Sequence, residues 1–281
     1  MPETVGFAAA DGAVTVEAPA DMIAGLRRLA PAWPLAAPDA AEIATITARS
    51  ENGAWRFASS AYAPPPYRFD PGWPAANGLV GTLIGTAVAL DPARIALHAA
   101  SARLGDGLTV LLGDNGAGKS TLGLALAAEG ARLWGDDRLI VADQEAPPTG
   151  RALGLVAKLR RPLPRSAPAA FRAFAQDHAG PAEGEMQVLE LDASRVAGFG
   201  ATAALRRLLF LDRGAADRPR LEPIGRPDLL AALIGLSFAP HLPVQVRLRR
   251  MNGLLDTVPA QRLAYSDSFA AARFLIAEFG R

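Results

Sequence analysis

The sequence predicts an α/β fold: a core built around a glycine-rich loop between a strand and a helix, preceded by a small β-rich module. Three observations predict it. Gly113-Asp114-Asn115-Gly116-Ala117-Gly118-Lys119-Ser120 fits the pattern G-x-x-x-x-G-K-[ST]. A strand-like apolar run, 108–112, enters that loop and a helix-like run, 121–129, leaves it. Strand and helix patterns alternate from about residue 76 onward, whereas residues 1–75 carry alternating runs around Asn52-Gly53.

The N-terminal module is expected over 1–75. Residues 42–48 alternate apolar and polar, Asn52-Gly53 follows, and 54–58 alternate again, the pattern of a hairpin. Pro64-Pro65-Pro66 and Asp70-Pro71-Gly72-Trp73-Pro74 read as a stiff connector into the second domain, 76–281. The longest apolar stretch, 79–90, is rich in Gly, Ala and Thr and reads as a buried helix. It is too short to span a bilayer.

A strand is expected over 95–100, with His98 on it, and the next at 108–112. The helix 121–129 ends at Gly130, a residue suited to a helix stop. Asp136-Asp137 sit between the apolar pairs Leu133-Trp134 and Leu139-Ile140, at a strand end. Residues 142–185, rich in Pro, Ala and Arg, are expected to hold mobile loops near the site. A strand at 205–212 and a helix at 227–238 with proline in its first turn follow. Residues 266–279 read as a last helix capped by Ser266 or Asp267.

Composition narrows the function. With 281 residues, half of them hydrophobic, the chain can bury a sizeable core. A net charge of +1 argues against a protein built to neutralise nucleic-acid phosphates, so no nucleic-acid partner is expected. The absence of cysteine excludes disulfides, thiolate nucleophiles and cysteine metal sites. Residues 1–20 carry acids and neither a basic start nor a long apolar run, unlike a signal peptide. A soluble cytoplasmic protein with no membrane partner is expected.

Each residue type in the loop has a mechanical task. Glycines let Gly113, Gly116 and Gly118 turn the backbone of Asp114, Asn115 and Ala117 into a nest of N–H groups aimed at phosphates. Lys119 reaches the β- and γ-phosphates, the Ser120 hydroxyl suits Mg²⁺, and the helix from Thr121 onward aims its dipole at the anion. The chain has only two lysines, Lys119 and Lys158; the rest of its 29 Lys and Arg residues are arginines. A compact ammonium has been kept at the loop position that suits it. Two adjacent carboxylates can divide the needs of phosphoryl transfer: one places a metal, the other accepts the proton of the attacking hydroxyl. A lone histidine such as His98 in an apolar run is ordinarily a core or edge residue.

Leu97-His98-Ala99, the loop 113–120 and the stretch 130–138 together resemble the catalytic core of HPr kinase/phosphorylases. They resemble still more the wider HPr kinase-related group, which includes lasso-peptide precursor kinases. In that family a histidine precedes the loop, and an Asp-Asp pair follows the helix after a glycine. The resemblance spans roughly residues 76–281 and is strongest over 95–141. It implies the phosphoenolpyruvate-carboxykinase-like P-loop kinase fold, with ATP and Mg²⁺ as cofactors. Lys119 and Ser120 would bind phosphate and metal. One of Asp136 and Asp137 would be the base and the other the metal ligand, with Asp136 the favoured base and Asp137 the favoured ligand, and His98 would pair with the base. The family's second glycine-containing signature, with its metal-binding acid, is missing from 153–165. That sets HPr as substrate, and phosphorolysis, outside what the resemblance implies. In its place stand Lys158, Arg160, Arg161 and Arg165, which suit either an anionic ligand or a solvated loop face.

The expected function is Mg²⁺-ATP-dependent transfer of phosphate to a Ser/Thr-type hydroxyl of a peptide, protein or small molecule. Members of the family often self-assemble, so a homo-oligomer is compatible with it. The loop is also spelled as in many ABC-type ATPases, but no signature motif precedes 208–212, and Arg213 stands where those proteins carry Glu. A protein that binds ATP as a sensor or assembly factor without transfer is the other class; retention of both Asp136 and Asp137 favours the enzyme.

Overall fold

Alternating burial builds the N-terminal sheet. The structure, a computed structural model, describes every residue except Met1, Ala10, Ala215 and Arg281. The chain divides into two units, residues 1–96 with 238–243 and residues 97–237 with 244–281. It is a mixed α/β protein with several sheets.

In the first unit, β1 (Pro2–Ala9), β2 (Gly12–Pro19), β3 (Glu42–Glu51) and β4 (Ala54–Ser59) form a four-stranded sheet in that order. Val14, Val16 and Ala18 of β2 and Ala44 and Ile46 of β3 point to the core at alternate positions, as a half-buried sheet requires. The expected hairpin is β3–β4. Asn52 at φ 52° and Gly53 at φ 77° make the left-handed two-residue turn that suits right-twisted strands. β2 and β3 pair in parallel, joined by helix α1 (Ala20–Leu29), whose Met22, Ile23, Leu26 and Leu29 face inward. Helix α2 (Trp73–Ala89), with Pro74 in its first turn, contains the expected buried run. A Cβ on Gly25 would come within 2.9 Å of Ala76, so α1 and α2 cross closely. The first unit therefore reaches past residue 75: α2 packs on this sheet and on α1.

The chain then runs through β5 (Ile95–Leu97), β6 (Ala100–Leu104), β7 (Gly107–Leu112), α3 (Lys119–Ala128), β8 (Arg132–Gly135), β9 (Leu139–Ala142) and β10 (Thr149–Arg151). Next come β11 (Ala157–Arg160), α4 (Ala169–Asp177), β12 (Ala179–Glu183), β13 (Met186–Leu189) and β14 (Thr202–Arg213). β15 (Arg220–Glu222), α5 (Arg226–Leu236), β16 (Ser237–Phe238), α6 (Val244–Thr257), β17 (Ala260–Tyr265) and α7 (Ser268–Phe279) complete it.

Within the second unit the main sheet runs β9-β10-β14-β7-β6-β8, with β17 also on β14 and β15 on β17. β7, β14 and β17 are parallel. β6 is antiparallel to β7 and β8 antiparallel to β6, so β8 runs with β7. The carboxyl ends of β7, β14, β17 and β8 and the amino end of β6 thus share one edge of the sheet. That edge is where open α/β sheets place ligands. Leu122, Leu124 and Leu126 of α3 and Phe269 and Leu275 of α7 belong to the core on this sheet.

Two expectations change. Residues 142–185 hold β10, β11, α4 and β12; β11 and β12 join β13 in a three-stranded sheet. Their prolines lie outside these elements, at 147, 148, 162, 164 and 168, except Pro181 in the β12 strand. The expected strand 95–100 is broken: His98 lies between β5 and β6, and its amide donates to Leu236 O at 2.8 Å.

Candidate functional site

The sheet edge carries a cleft of about 360 Å³. His98, Asn115, Lys119, Ser120, Asp136 and Asp137 line it, with Lys158, Arg160, Met186 and Arg213 on its other walls. All of these lie in the second unit.

The loop 113–118 follows β7 directly, and α3 begins at Lys119. Gly118 sits at φ 95° as the residue before the helix, and no side chain caps the helix start. Its first-turn N–H groups donate to no side-chain cap among the described residues. At this φ any side chain is strained, and a Cβ on Gly118 would also crowd Tyr265 Oη at 3.0 Å. The Tyr265 hydroxyl donates to Ala117 O at 2.8 Å and ties the loop to the end of β17. Burial pushes this phenol's pKa up, which keeps the hydroxyl a donor. Lys119 folds over the loop: its Nζ donates to Gly113 O at 2.7 Å and to Asp114 O at 3.1 Å. Burial lowers its pKa, against the opposing pull of Asp137 and Asp114.

Asp136 and Asp137 have different surroundings. Asp136 is 4% exposed. Its Oδ2 accepts from Lys158 N at 2.9 Å, and the Ser120 hydroxyl hydrogen-bonds its carboxyl. Burial pushes its pKa up, and the bonds from Lys158 and Ser120 pull the other way. The Asp137 side chain keeps 38% of its exposure and opens on the cleft. His98 Nε2 lies 3.5 Å from Asp137 Oδ1, Arg138 Nη1 3.3 Å from the same oxygen, and Lys158 Nζ 3.9 Å from Oδ2. Burial alone would raise the Asp137 pKa, but Arg138, Lys158 and Lys119 outweigh it and hold it below the usual carboxylate range.

His98 is pushed down to about 4, first by burial and then by Arg138. Its ring is neutral at neutral pH, so the contact with Asp137 is that of a polar neighbour rather than a counter-ion. The structure thus brings His98 to Asp137, and Ser120 to Asp136.

Of the residues expected from the loop and the Asp pair, Asn115, Gly116, Gly118, Lys119, Ser120, Thr121, Asp136 and Asp137 line this one cleft, as do both lysines of the chain, whereas Gly113, Asp114 and Ala117 belong to the loop but not to the cleft's lining. The basic run splits, as strand alternation dictates. Lys158 and Arg160 face the cleft, whereas Arg161 lines a second cavity and its Nη1 donates to Gln187 Oε1 at 3.2 Å. Arg165 lines neither cavity. Arg206 and Arg207 lie within β14, with Arg206 Nε 2.8 Å from Asp106. Tyr265, Arg213 and Met186 of the site escape sequence reasoning. Tyr265 gave a faint signal, an aromatic hydroxyl closing an apolar run just before the cap of α7. Arg213 showed only as the residue in place of Glu.

The donor set suits Mg²⁺ with a nucleotide. Ser120 and Asp136 supply hard oxygen ligands side by side, and Mg²⁺ is ordinarily held by one or two carboxylates plus substrate phosphates. Among the described residues no group of three or more His, Cys, Asp and Glu side chains could hold a metal by itself. No helix among them is long and apolar enough to cross a membrane.

No protein-family model and no curated protein matches the chain. Among solved structures it is similar to the Hpr(Ser) kinase/phosphatase from Coxiella burnetii, with a TM-score of 0.32 and 12% identity over 64% of this chain and 91% of that one.

Proposed function

We propose that the second unit is a Mg²⁺-ATP-dependent phosphotransferase acting on a Ser/Thr-type hydroxyl of a peptide, protein or small molecule. One observation carries the reading. The same cleft joins a Gly-rich loop at a helix start, a Ser120–Asp136 pair fit for a metal, and an accessible Asp137 beside a neutral His98.

The loop's N–H groups and Lys119 bind the phosphates. Ser120 and Asp136 hold the metal. Asp137 accepts the proton of the acceptor hydroxyl, and His98 holds its carboxylate toward the cleft. This assignment exchanges the two aspartates relative to the expectation from resemblance, because Asp136 is buried against Ser120 and Asp137 is the accessible partner of His98. Bound Mg²⁺-ATP supplies the phosphoryl group and the metal's charge. Positioning and charge stabilisation are the main contribution asked of the protein, because the transition state of phosphoryl transfer is loose. A cytoplasmic setting, where ATP is supplied, fits the same reading.

The test is transfer of labelled γ-phosphate from Mg²⁺-ATP into a size-fractionated lysate of the source cells, with Lys119→Ala as control. Label with the wild type alone supports the kinase, and its fraction separates small molecules from peptides and proteins. Tight ATP binding with no label above control supports a nucleotide sensor instead.

A further inference from the structure

Arg213 is the last residue of β14 and lines the cleft. β14 runs parallel to β7 with Phe210 level with Leu112, so Arg213 emerges at the same sheet edge as the loop. Its Cδ lies 3.7 Å from where a Cβ on Gly118 would stand, so its aliphatic stem lies along the loop. Neighbouring arginines are occupied. Arg206 Nε lies 2.8 Å from Asp106, the Arg207 guanidinium sits 4.1 Å from the centre of the Phe279 ring, and Arg262 Nη1 lies 3.5 Å from Asp212. Arg213 is exposed and forms no ion pair among the described residues.

Strand order gives the cleft two sides. Along the sheet the strands run β8-β6-β7-β14, with β17 beyond. Asp136 and Asp137 follow β8 and His98 precedes β6, so the carboxylates and the imidazole lie on one side of the loop that ends β7. Arg213 and Tyr265 end β14 and β17, on the other. In-line phosphoryl transfer puts the attacking and leaving oxygens on opposite sides of the phosphorus.

We propose that Arg213 is the leaving-group residue of this site: its guanidinium binds the diphosphate that departs when the phosphoryl group moves toward Asp137. The proposal rests on the kinase reading of the cleft. In the step, a bond forms between the acceptor oxygen and the γ-phosphorus, and the bond to the β,γ-bridging oxygen breaks. The acceptor proton goes to Asp137, and the bridging oxygen keeps the electron pair. Charge then accumulates on the diphosphate, where a planar guanidinium donates two hydrogen bonds at once.

Binding of Mg²⁺-ADP and of AMP, measured by calorimetry on the full chain, tests this without knowledge of the acceptor. Arg213→Met should weaken Mg²⁺-ADP by about tenfold to a hundredfold, the worth of hydrogen bonds to a charged group. AMP affinity and Tm should not change, and Arg213→Lys should recover part of the loss. Unchanged ADP affinity in Arg213→Met, or equal losses for ADP and AMP, would overturn the assignment while nucleotide binding itself stands. A wild type that binds neither ligand, or a Lys119→Ala variant that binds ADP as the wild type does, would overturn the kinase reading and this assignment with it.

Discussion

His98 contacts Asp137 rather than Asp136: its Nε2 lies 3.5 Å from Asp137 Oδ1, while Asp136 is turned inward onto Ser120 and the Lys158 amide. Adjacent residues with opposite environments invite a division of labour. Asp137→Asn should lower phosphate transfer by about a hundredfold to ten-thousandfold, the usual weight of a general base, with nucleotide affinity kept. Asp136→Asn should instead raise the Mg²⁺ concentration needed for half-maximal activity. Magnesium titrations of both variants decide it; full transfer by Asp137→Asn would return the base role to Asp136.

Lys119 holds two loop carbonyls, Gly113 O and Asp114 O, with the same ammonium that would meet phosphate. Lys119→Ala should therefore cost nucleotide affinity of about tenfold or more. Lys119→Arg should not restore it, because a planar fork does not replace a compact ammonium at this position. Calorimetry with Mg²⁺-ADP checks both, and wild-type affinity in Lys119→Ala would show that the loop does not bind phosphate through this residue.

Much of the site is readable in the chain because its geometry is local. The loop 113–120 needs only glycines and a helix start, and the β3–β4 hairpin needs only Asn52-Gly53 between alternating runs. Asp267 signals the start of α7, where its carboxylate accepts from the amides of Phe269 and Ala270, both at 2.8 Å. What escapes is long-range. Arg213 reaches the loop only through the parallel register of β14 on β7, and Tyr265 only through β17 on β14. The parallel β2–β3 pairing leaves no turn signal to read. β10 to β12 are short strands among prolines, and so resemble loops. The different surroundings of Asp136 and Asp137 also come from afar, from β11 and from His98.

Gly118 and Tyr265 constrain each other. At φ 95°, any side chain at 118 costs about 1–2 kcal/mol in backbone conformation, and its Cβ would sit 3.0 Å from Tyr265 Oη. Gly118→Ala should destabilise by at least that amount. Tyr265→Phe should cost about 1–3 kcal/mol by leaving Ala117 O without its donor. The double variant should cost less than the sum, because it removes the oxygen that the new Cβ meets. Denaturant unfolding of the three variants measures this, and strict additivity would show that the two residues do not meet.

Alkaline pH should act on the first unit through Tyr62. Burial pushes its phenol up from 10.0 to about 12, although a hydrogen bond with Thr82 pulls the other way. A folded-state pKa above the unfolded one gives stability that is whole below pH 10 and is lost as pH rises through 12. Across that window the wild type should lose more stability than Tyr62→Phe does. Denaturant midpoints of the two proteins from pH 10 to 12 measure the difference, and parallel curves would mean that Tyr62 ionises as readily folded as unfolded.

A buried charge pair fastens α6 to the end of β9. Arg250 Nε donates to Asp143 Oδ2 at 2.9 Å, and its Nη2 bonds Oδ1; the two side chains are 6% and 3% exposed. Taking both ions out of water is costly, so the pair contributes little net stability against a well-packed apolar substitute. Removing one partner is different, because the other is left charged in a dry site. Arg250→Met should therefore cost about 3–5 kcal/mol, and Asp143→Leu a similar amount. The double variant Arg250→Met/Asp143→Leu should recover most of that loss. Equilibrium unfolding of the set tests it: single variants as stable as the wild type would mean that water reaches the pair, and a double variant as unstable as both singles together would mean that the site cannot repack around apolar groups.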